Sequence, residues 1–118
     1  IEHLVGGSLP ASLRRRWFTA LFQHGVFIEN SLSVYFSPNT HLLGELAALH
    51  ALGELLPDWP RSARWKAIGQ KGVFAQMQAQ IRPDGTHFEQ SSYYHLYSFD
   101  FFLFHAILQP QDQPYLDT

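Results

Sequence analysis

The sequence has no cysteine among its 118 residues. This excludes disulfide bonds, thiol catalysis and cysteine-ligated zinc. Charge is also scarce, since eight Lys and Arg residues stand against ten Asp and Glu residues and give a formal net charge of -2. Such a balance offers no overall positive field for nucleic acid, and the sequence has no run of about 18 apolar residues that could span a bilayer. We therefore expect neither a nucleic-acid partner nor a membrane span.

Apolar side chains are plentiful, with 46% hydrophobic and 15% aromatic residues. This composition argues against disorder. The length predicts a single domain that would bury roughly two thirds of the surface of its unfolded chain. The chain begins with Ile1 rather than Met and ends in a polar run broken by prolines at residues 109–118. We interpret both ends as cut and expect residues 1–118 to be one partial domain of a longer chain.

Four stretches of the sequence have helical features. The first, residues 10–29, begins at a proline that the first turn of a helix tolerates, and its apolar residues recur at helical spacing. The second starts at residue 39 or 40, where either side chain is a good N-cap, and Pro57 ends it. The third runs from residue 60 or 62 to the proline at 83, and the fourth runs from about residue 90 to residue 108. These bounds predict helices joined by short loops.

The breaks between these stretches are rich in Pro, Gly and Asn, and they include the turn dipeptide Asp84-Gly85. The aromatic run at residues 93–104 is ambiguous, because Phe and Tyr also favour strands. We predict a helix there, since the sequence has no convincing alternating strand pattern. It also has no repeat of about 33 to 47 residues that would indicate a solenoid. The predicted fold class is all-α, an array of antiparallel helical hairpins.

Two junctions between a loop and a helix concentrate polar side chains. The first junction, residues 37–45, contains Asn39, Thr40 and His41, with Glu45 one turn further on. The second junction, residues 84–95, has the sequence DGTHFEQSSYYH. Both lie at predicted helix N-termini, where unpaired N–H groups and partial positive charge favour a carboxylate or a developing oxyanion.

Plain structural roles would also explain these residues. Asn39 and Thr40 could cap the second helix, and residues 89–92 could cap the fourth. His41 and Glu45 could form a surface pair, and an HxxxE spacing without a third ligand is weak evidence for a metal. We therefore predict no metal and no cofactor. Four further histidines lie outside any polar cluster in the sequence and are expected to be structural: His3, His24, His50 and His105.

The sequence resembles the helical domain of heparinase II/III-like polysaccharide lyases over residues 30–108. The resemblance is carried by motifs in the family's order: SPNTHLLGE at 37–45, LPDWP at 56–60, ARWKAIG at 63–69, QIRPDG at 80–85 and EQSSYYH at 89–95. It implies part of an incomplete (α/α) toroid, with a C-terminal β-sandwich domain that these residues do not include. It further implies a bacterial enzyme, periplasmic or secreted, that cleaves an acidic polysaccharide such as heparan sulfate or alginate by β-elimination.

The resemblance also implies roles for individual residues. Asn39 and His41 would donate to the uronate carboxylate, and Tyr94 would protonate the leaving O4 and could also act as the base. Many relatives read Asn-Asn-His where this sequence reads Asn39-Thr40-His41, so Thr40 replaces the catalytic amide if that amide belongs to the second position. A further catalytic histidine of the family comes from its later β domain. The remaining candidates are assigned to substrate binding: Thr40, Glu45, Glu89 and His95.

Two other functions remain open on the residues alone. A toroid glycoside hydrolase would need two suitably spaced carboxylates, for which Glu45 and Glu89 are the candidates. A non-catalytic carbohydrate-binding or protein-interaction module would use Asn39, His41 and Tyr94 only as caps and packing. In a lyase, we expect His41 and Tyr94 to face one open cleft rather than the core.

Overall fold

A computed structural model describes residues 9–109 of the chain. Within this range four α-helices follow one another: α1 (Ala11–Asn30), α2 (Thr40–Leu55), α3 (Ser62–Gln80) and α4 (Ser92–Leu108). The described residues form no strand, and their only β-type pairing is an isolated antiparallel bridge between Ile81 and His87. The predicted all-α class is therefore confirmed. The two ends that we interpret as cut, together with His3, lie in residues 1–8 and 110–118, outside the described range.

The helix ends follow local sequence signals. The Asn39 side chain accepts a hydrogen bond from the His41 N–H and caps α2, and the Ser91 side chain caps α4 in the same way. The third helix ends before the proline at 83, because Ile81 is already extended and pairs with His87. The fourth begins later than predicted, because Gln90 has a left-handed φ of 55° that a helix does not allow. The aromatic run at 93–104 is helical, as predicted.

Glycines bring α2 and α3 into close backbone contact. A Cβ atom at Gly69 would lie 2.5 Å from the Leu46 carbonyl oxygen, and one at Gly53 would lie 2.5 Å from the Ser62 carbonyl oxygen. Only a residue without a side chain fits at either contact. Because the end of α2 meets the start of α3, the two helices form an antiparallel hairpin.

Helix α4 packs against α2 in the same direction. Gly44 in the first half of α2 faces the Phe101 ring, and His50 further along α2 contacts His105 further along α4. The two helices therefore run parallel, and both N-termini lie at one end of the domain. The two polar junctions therefore lie at the same end of the domain, because the first contains the start of α2 and the second contains the start of α4.

The core lies mainly where α2, α3 and α4 meet. Its buried apolar side chains are Leu42, Leu43, Leu46, Ala47, Leu49, Trp65 and Val73. Helix α1 is tied to the start of α3 by Glu29, whose side chain is only 4% exposed. One Glu29 oxygen accepts from the Trp65 indole N–H at 3.0 Å and pairs with Arg61 at 2.5 Å, while the other pairs with Arg64. This contact anchors the last turn of α1.

Candidate functional site

The first junction is ordered around the Asn39 side chain. Its Oδ1 atom accepts from the His41 N–H at 3.1 Å and lies 3.0 Å from the His41 Nδ1 atom. An amide oxygen can only accept, so in this contact the proton of the neutral His41 ring is assigned to Nδ1. The Nε2 atom of His41 therefore holds the lone pair, and the ring is exposed.

The other two candidates of the first junction have different surroundings. Thr40 is 2% exposed and lies inside the helical packing. Glu45 accepts from the Ser33 N–H at 2.7 Å through one oxygen and from the Ser33 hydroxyl at 2.6 Å through the other. Both Glu45 oxygens therefore hold the loop between α1 and α2.

The second junction begins with a tight turn. Gly85 adopts a φ of 82°, a conformation that favours glycine. The Asp84 carboxylate accepts from the Thr86 N–H at 2.9 Å and from the Thr86 hydroxyl at 2.7 Å. These bonds stabilise the charged form of the Asp84 carboxylate and so lower the pKa of Asp84. The predicted turn at Asp84-Gly85 is confirmed, and it returns the chain toward the end of α3.

A buried histidine lies behind this turn. His87 is 1% exposed, and its Nε2 atom lies 2.9 Å from Gln80 Oε1 and 3.1 Å from Ser98 Oγ. Its Nδ1 atom accepts from the Glu89 N–H at 3.3 Å. Burial lowers the pKa of His87, although the Glu89 carboxylate opposes this shift. Sequence reasoning gave His87 no role, because its partners lie on α3 and α4 and only the fold brings them together.

Tyr94 and His95 lie in the first turn of α4, and His95 lines a polar pocket. The Tyr94 side chain is 38% exposed, and its ring packs edge-on against Tyr93 with centroids 5.5 Å apart. His95 Nδ1 accepts from the His87 backbone N–H at 3.3 Å, which leaves the proton of the neutral ring on Nε2. An open pocket of about 480 Å³ adjoins this ring and is lined by Arg82, Thr86, His87, Gln90, Ser91, Ser92 and His95.

A hydrogen bond joins the two junctions. The Asn39 Nδ2 atom donates to Glu89 Oε1 at 3.3 Å. The second Glu89 oxygen is buried, lies 3.9 Å from His87 Nδ1 and has no hydrogen-bond partner within residues 9–109. Asn39, His41 and Glu89 therefore form one connected group, and His95 is linked to Glu89 through His87.

The predicted site residues thus separate into three sets. Four of them belong to the connected network: Asn39, His41, Glu89 and His95. Thr40 and Glu45 lie beside this network and make the packing and loop contacts described above. Tyr94 follows the cap of α4, and both its ring and that of His41 remain accessible rather than sealed in the core.

The fold and the site define an all-α domain with a polar site at the N-terminal ends of two parallel helices. The family model of the heparinase II/III N-terminus matches residues 8–113. The chain therefore belongs to the heparinase II/III family, as the motif resemblance predicts. Comparison with curated proteins and with solved structures gives no match.

Two further findings concern the described residues. Between residues 9 and 109, no three or more His, Asp or Glu side chains come together in a way that could hold a metal ion. None of the four helices combines the length and the hydropathy needed to cross a bilayer.

Proposed function

We propose that this chain is the helical part of a bacterial polysaccharide lyase that acts on uronic-acid polymers by β-elimination. Membership of the heparinase II/III family supports a lyase. The observation that carries the proposal is the bond between Asn39 and Glu89, because it unites the junction of His41 with the junction that precedes Tyr94. The proposal includes a toroid completed by further helices, a β domain on the same parent chain and a periplasmic or secreted location.

In the elimination, a base takes up the proton at C5 of a 4-linked uronate, and the candidates are Tyr94 and the further histidine of the parent's β domain. The electron pair of that C–H bond forms the C4–C5 double bond, the C4–O4 bond breaks, and the leaving oxygen takes up a proton. Charge that develops on the carboxylate side must be stabilised by donors already in place. Asn39 can contribute its second amide hydrogen, since the first is directed at Glu89.

The tautomer of His41 defines how it would act. While Nδ1–H donates to Asn39, the Nε2 atom is an acceptor, so the neutral ring can take a proton. Once protonated, the same ring carries a positive charge and can donate to the uronate carboxylate. His41 can therefore accept a hydrogen bond from the substrate in its neutral form and donate one to the uronate carboxylate in its protonated form.

Tyr94 is proposed as the proton donor to the leaving O4. A tyrosine hydroxyl is neutral near pH 7 and can donate directly. For Tyr94 to serve as the base as well, positive charge beside it would be required. His95 is the next residue, and its Nε2–H side is suited to bind substrate oxygen at the adjoining pocket.

The glycoside hydrolase alternative is less well supported by the geometry. Its two candidate carboxylates are Glu45 and Glu89. Both oxygens of Glu45 are occupied by Ser33, and this leaves Glu89 without a partner acid. The same contact argues that Glu45 acts on the loop rather than on a substrate.

The test uses the complete protein that contains this chain. It is incubated with alginate, polyglucuronate, heparan sulfate and a neutral glucan as control. The proposal expects ultraviolet absorbance from a C4–C5 unsaturated uronate with at least one acidic polymer and none with the glucan. New reducing ends without this absorbance would show hydrolysis and would contradict the proposal.

A further inference from the structure

We propose that His87 is a positioning residue of this site: its buried imidazole holds Glu89 against Asn39 and thereby sets the orientation of His41. The catalytic consequence rests on the proposed lyase function, whereas the positioning itself is a structural claim that can be tested without activity. Nothing in the sequence motifs assigns His87 a role, and its ring does not have to touch the substrate to exert this effect.

The network defines the tautomer of His87. Gln80 Nε2 donates to Gln76 Oε1 at 2.9 Å, which orients the Gln80 amide with its oxygen toward His87. An oxygen in that position needs a donor, so the His87 proton is on Nε2. Ser98 Oγ, 3.1 Å away, shares the same N–H.

The lone pair at His87 Nδ1 is then directed at the backbone N–H of Glu89. It accepts the Glu89 backbone N–H at 3.3 Å, within a loop that also contains the left-handed Gln90. An N–H that is shielded from water and loses its acceptor destabilises the fold, so the loop is held where the acceptor is. Removing only this acceptor should release Glu89 while the rest of the His87 contacts persist.

The effect reaches His41 through two further bonds. Glu89 Oε1 accepts from the Asn39 amide, and this bond keeps Asn39 Oδ1 turned toward His41. If Glu89 moves, the nitrogen end of the amide loses its partner, and the orientation of Asn39 depends on the cap bond from the His41 N–H alone. The contact between Asn39 Oδ1 and His41 Nδ1 would then be held less firmly.

Two substitutions separate the two faces of the imidazole. In His87→Asn the amide oxygen can occupy the place of Nδ1 and accept from the Glu89 N–H. In His87→Gln the longer side chain reaches Gln80 and Ser98 but leaves the Glu89 N–H without an acceptor. Because both variants are polar and lack a ring, they suffer similar losses of packing.

The first measurement is independent of activity. Asn30 and Asn39 are the only asparagines of this chain. In the complete protein labelled with ¹⁵N-asparagine, Asn39→Asp identifies the Asn39 side-chain amide resonance. We expect this resonance to shift in His87→Gln and to stay near its native position in His87→Asn. An unmoved resonance in His87→Gln would overturn the positioning claim.

The second measurement is turnover. We expect His87→Gln to lower kcat by about 100-fold, as small misplacements of catalytic groups do, while KM changes by less than about threefold. His87→Asn should retain most of kcat. Ser98→Ala is the matched control, because it removes a contact on the Nε2 face only; it should lower stability and leave kcat unchanged.

A double-variant comparison shows whether the effect passes through Glu89. In a Glu89→Ala background, which removes the acceptor of the Asn39 amide, His87→Gln should have little additional effect on kcat, since the two changes interrupt one path. Fully additive losses would contradict this path. If both His87 variants fail to fold, the double change Gln80→Met/Ser98→Ala removes both partners of the His87 Nε2–H, and an unmoved Asn39 resonance would again overturn the proposal.

The proposal and the lyase function can fail separately. Absence of an unsaturated product from every polymer would refute the lyase function and leave the resonance measurement as the test of His87. Lyase activity with equal losses of kcat in His87→Gln and His87→Asn would refute the role of His87 and leave the lyase function standing.

Discussion

The Asn39 amide nitrogen lies 3.3 Å from a Glu89 carboxylate oxygen, although the two residues are 50 positions apart in the sequence. Asn39 also caps α2 through its amide oxygen. The capping role and the role in the site are therefore compatible, because each uses a different end of the amide. This contact joins the two polar junctions, which are far apart in the sequence.

The hydroxyl of Tyr94 is the group whose removal should most directly affect the proposed reaction. Tyr94→Phe keeps the ring and removes the proton, so we expect kcat to fall by about 10²- to 10⁴-fold with little change in substrate binding. Tyr97→Phe is the control, since this ring is also partly exposed on α4. Steady-state kinetics and binding of an uncleaved oligosaccharide provide the measurements. Full turnover in Tyr94→Phe would exclude the acid role.

Glu45 should affect stability rather than substrate affinity. Glu45→Gln replaces one of the two oxygens that accept from Ser33, so we expect the free energy of unfolding to fall by about 1–3 kcal/mol. KM should stay unchanged. Chemical denaturation and steady-state kinetics test this, and Ser33→Ala should reproduce the loss. A raised KM with native stability would instead support the substrate-binding role.

The close contact of α2 and α3 depends on Gly69. A methyl group there would meet the backbone at Leu46 and His50, so Gly69→Ala should destabilise the protein by about 1–3 kcal/mol. Gly44→Ala is the matched control. Its methyl group would meet only the Phe101 ring at 3.1 Å, and that side chain can shift. Equal thermal stability of the two variants would contradict the close packing.

Protonation of Glu29 should account for much of the stability that the protein loses in acid. The hydrogen bonds from Trp65, Arg61 and Arg64, together with the charge of Arg61, lower its pKa from 4.5 to about 2, against the opposing effect of burial. The unfolded state therefore binds a proton before the folded state does, so stability is present above pH 4.5 and is lost as the pH falls toward 2.

Denaturation curves between pH 5 and pH 2 test the role of Glu29. This range spans its pKa of 4.5 in the unfolded chain and of about 2 in the folded protein. Glu29→Gln should be less stable near neutral pH and should lose stability less steeply in acid. Glu54→Gln is the control, since its pair with Lys66 is more exposed. An unchanged acid slope in Glu29→Gln would refute the assignment.

Protonation of the buried pair His50 and His105 should lower stability at a higher pH than protonation of Glu29 does. Their Nδ1 atoms are 2.8 Å apart, so one ring donates and the other accepts through an unprotonated Nδ1. Burial lowers the pKa of both rings, to about 4 for His105. Glu54 opposes this shift at His50 and Lys66 reinforces it.

The sign follows from these lowered pKa values. The unfolded chain takes up protons on these histidines near pH 6.5, whereas folded His105 resists until about pH 4. Stability should therefore fall as the pH decreases through this interval. Titration of the His105 ring resonances by NMR measures it directly. A His105 ring that titrates near pH 6.5 in the folded protein would contradict the prediction.

The helices could be predicted because their signals are local. Asn39 and Ser91 cap the helices that follow them, and Pro57 and Gly85 interrupt the chain where their backbone preferences require it. Each of these effects depends on a few neighbouring residues. The ordered motifs also identified the family, because their residue types and spacings are properties of the sequence itself.

The site could be predicted only in part. The sequence identified the two polar junctions, but it could not show that His87 and Asn39 meet at Glu89 or that Glu45 accepts from Ser33. Those partners are decided by the parallel packing of α2 and α4 and by the close approach of α3, which depend on contacts between distant residues. The sequence by itself determined the helices, the family and the candidate side chains. The tertiary structure decided which of their hydrogen-bonding atoms meet, because burial leaves each polar group only the partners that the packing brings within reach.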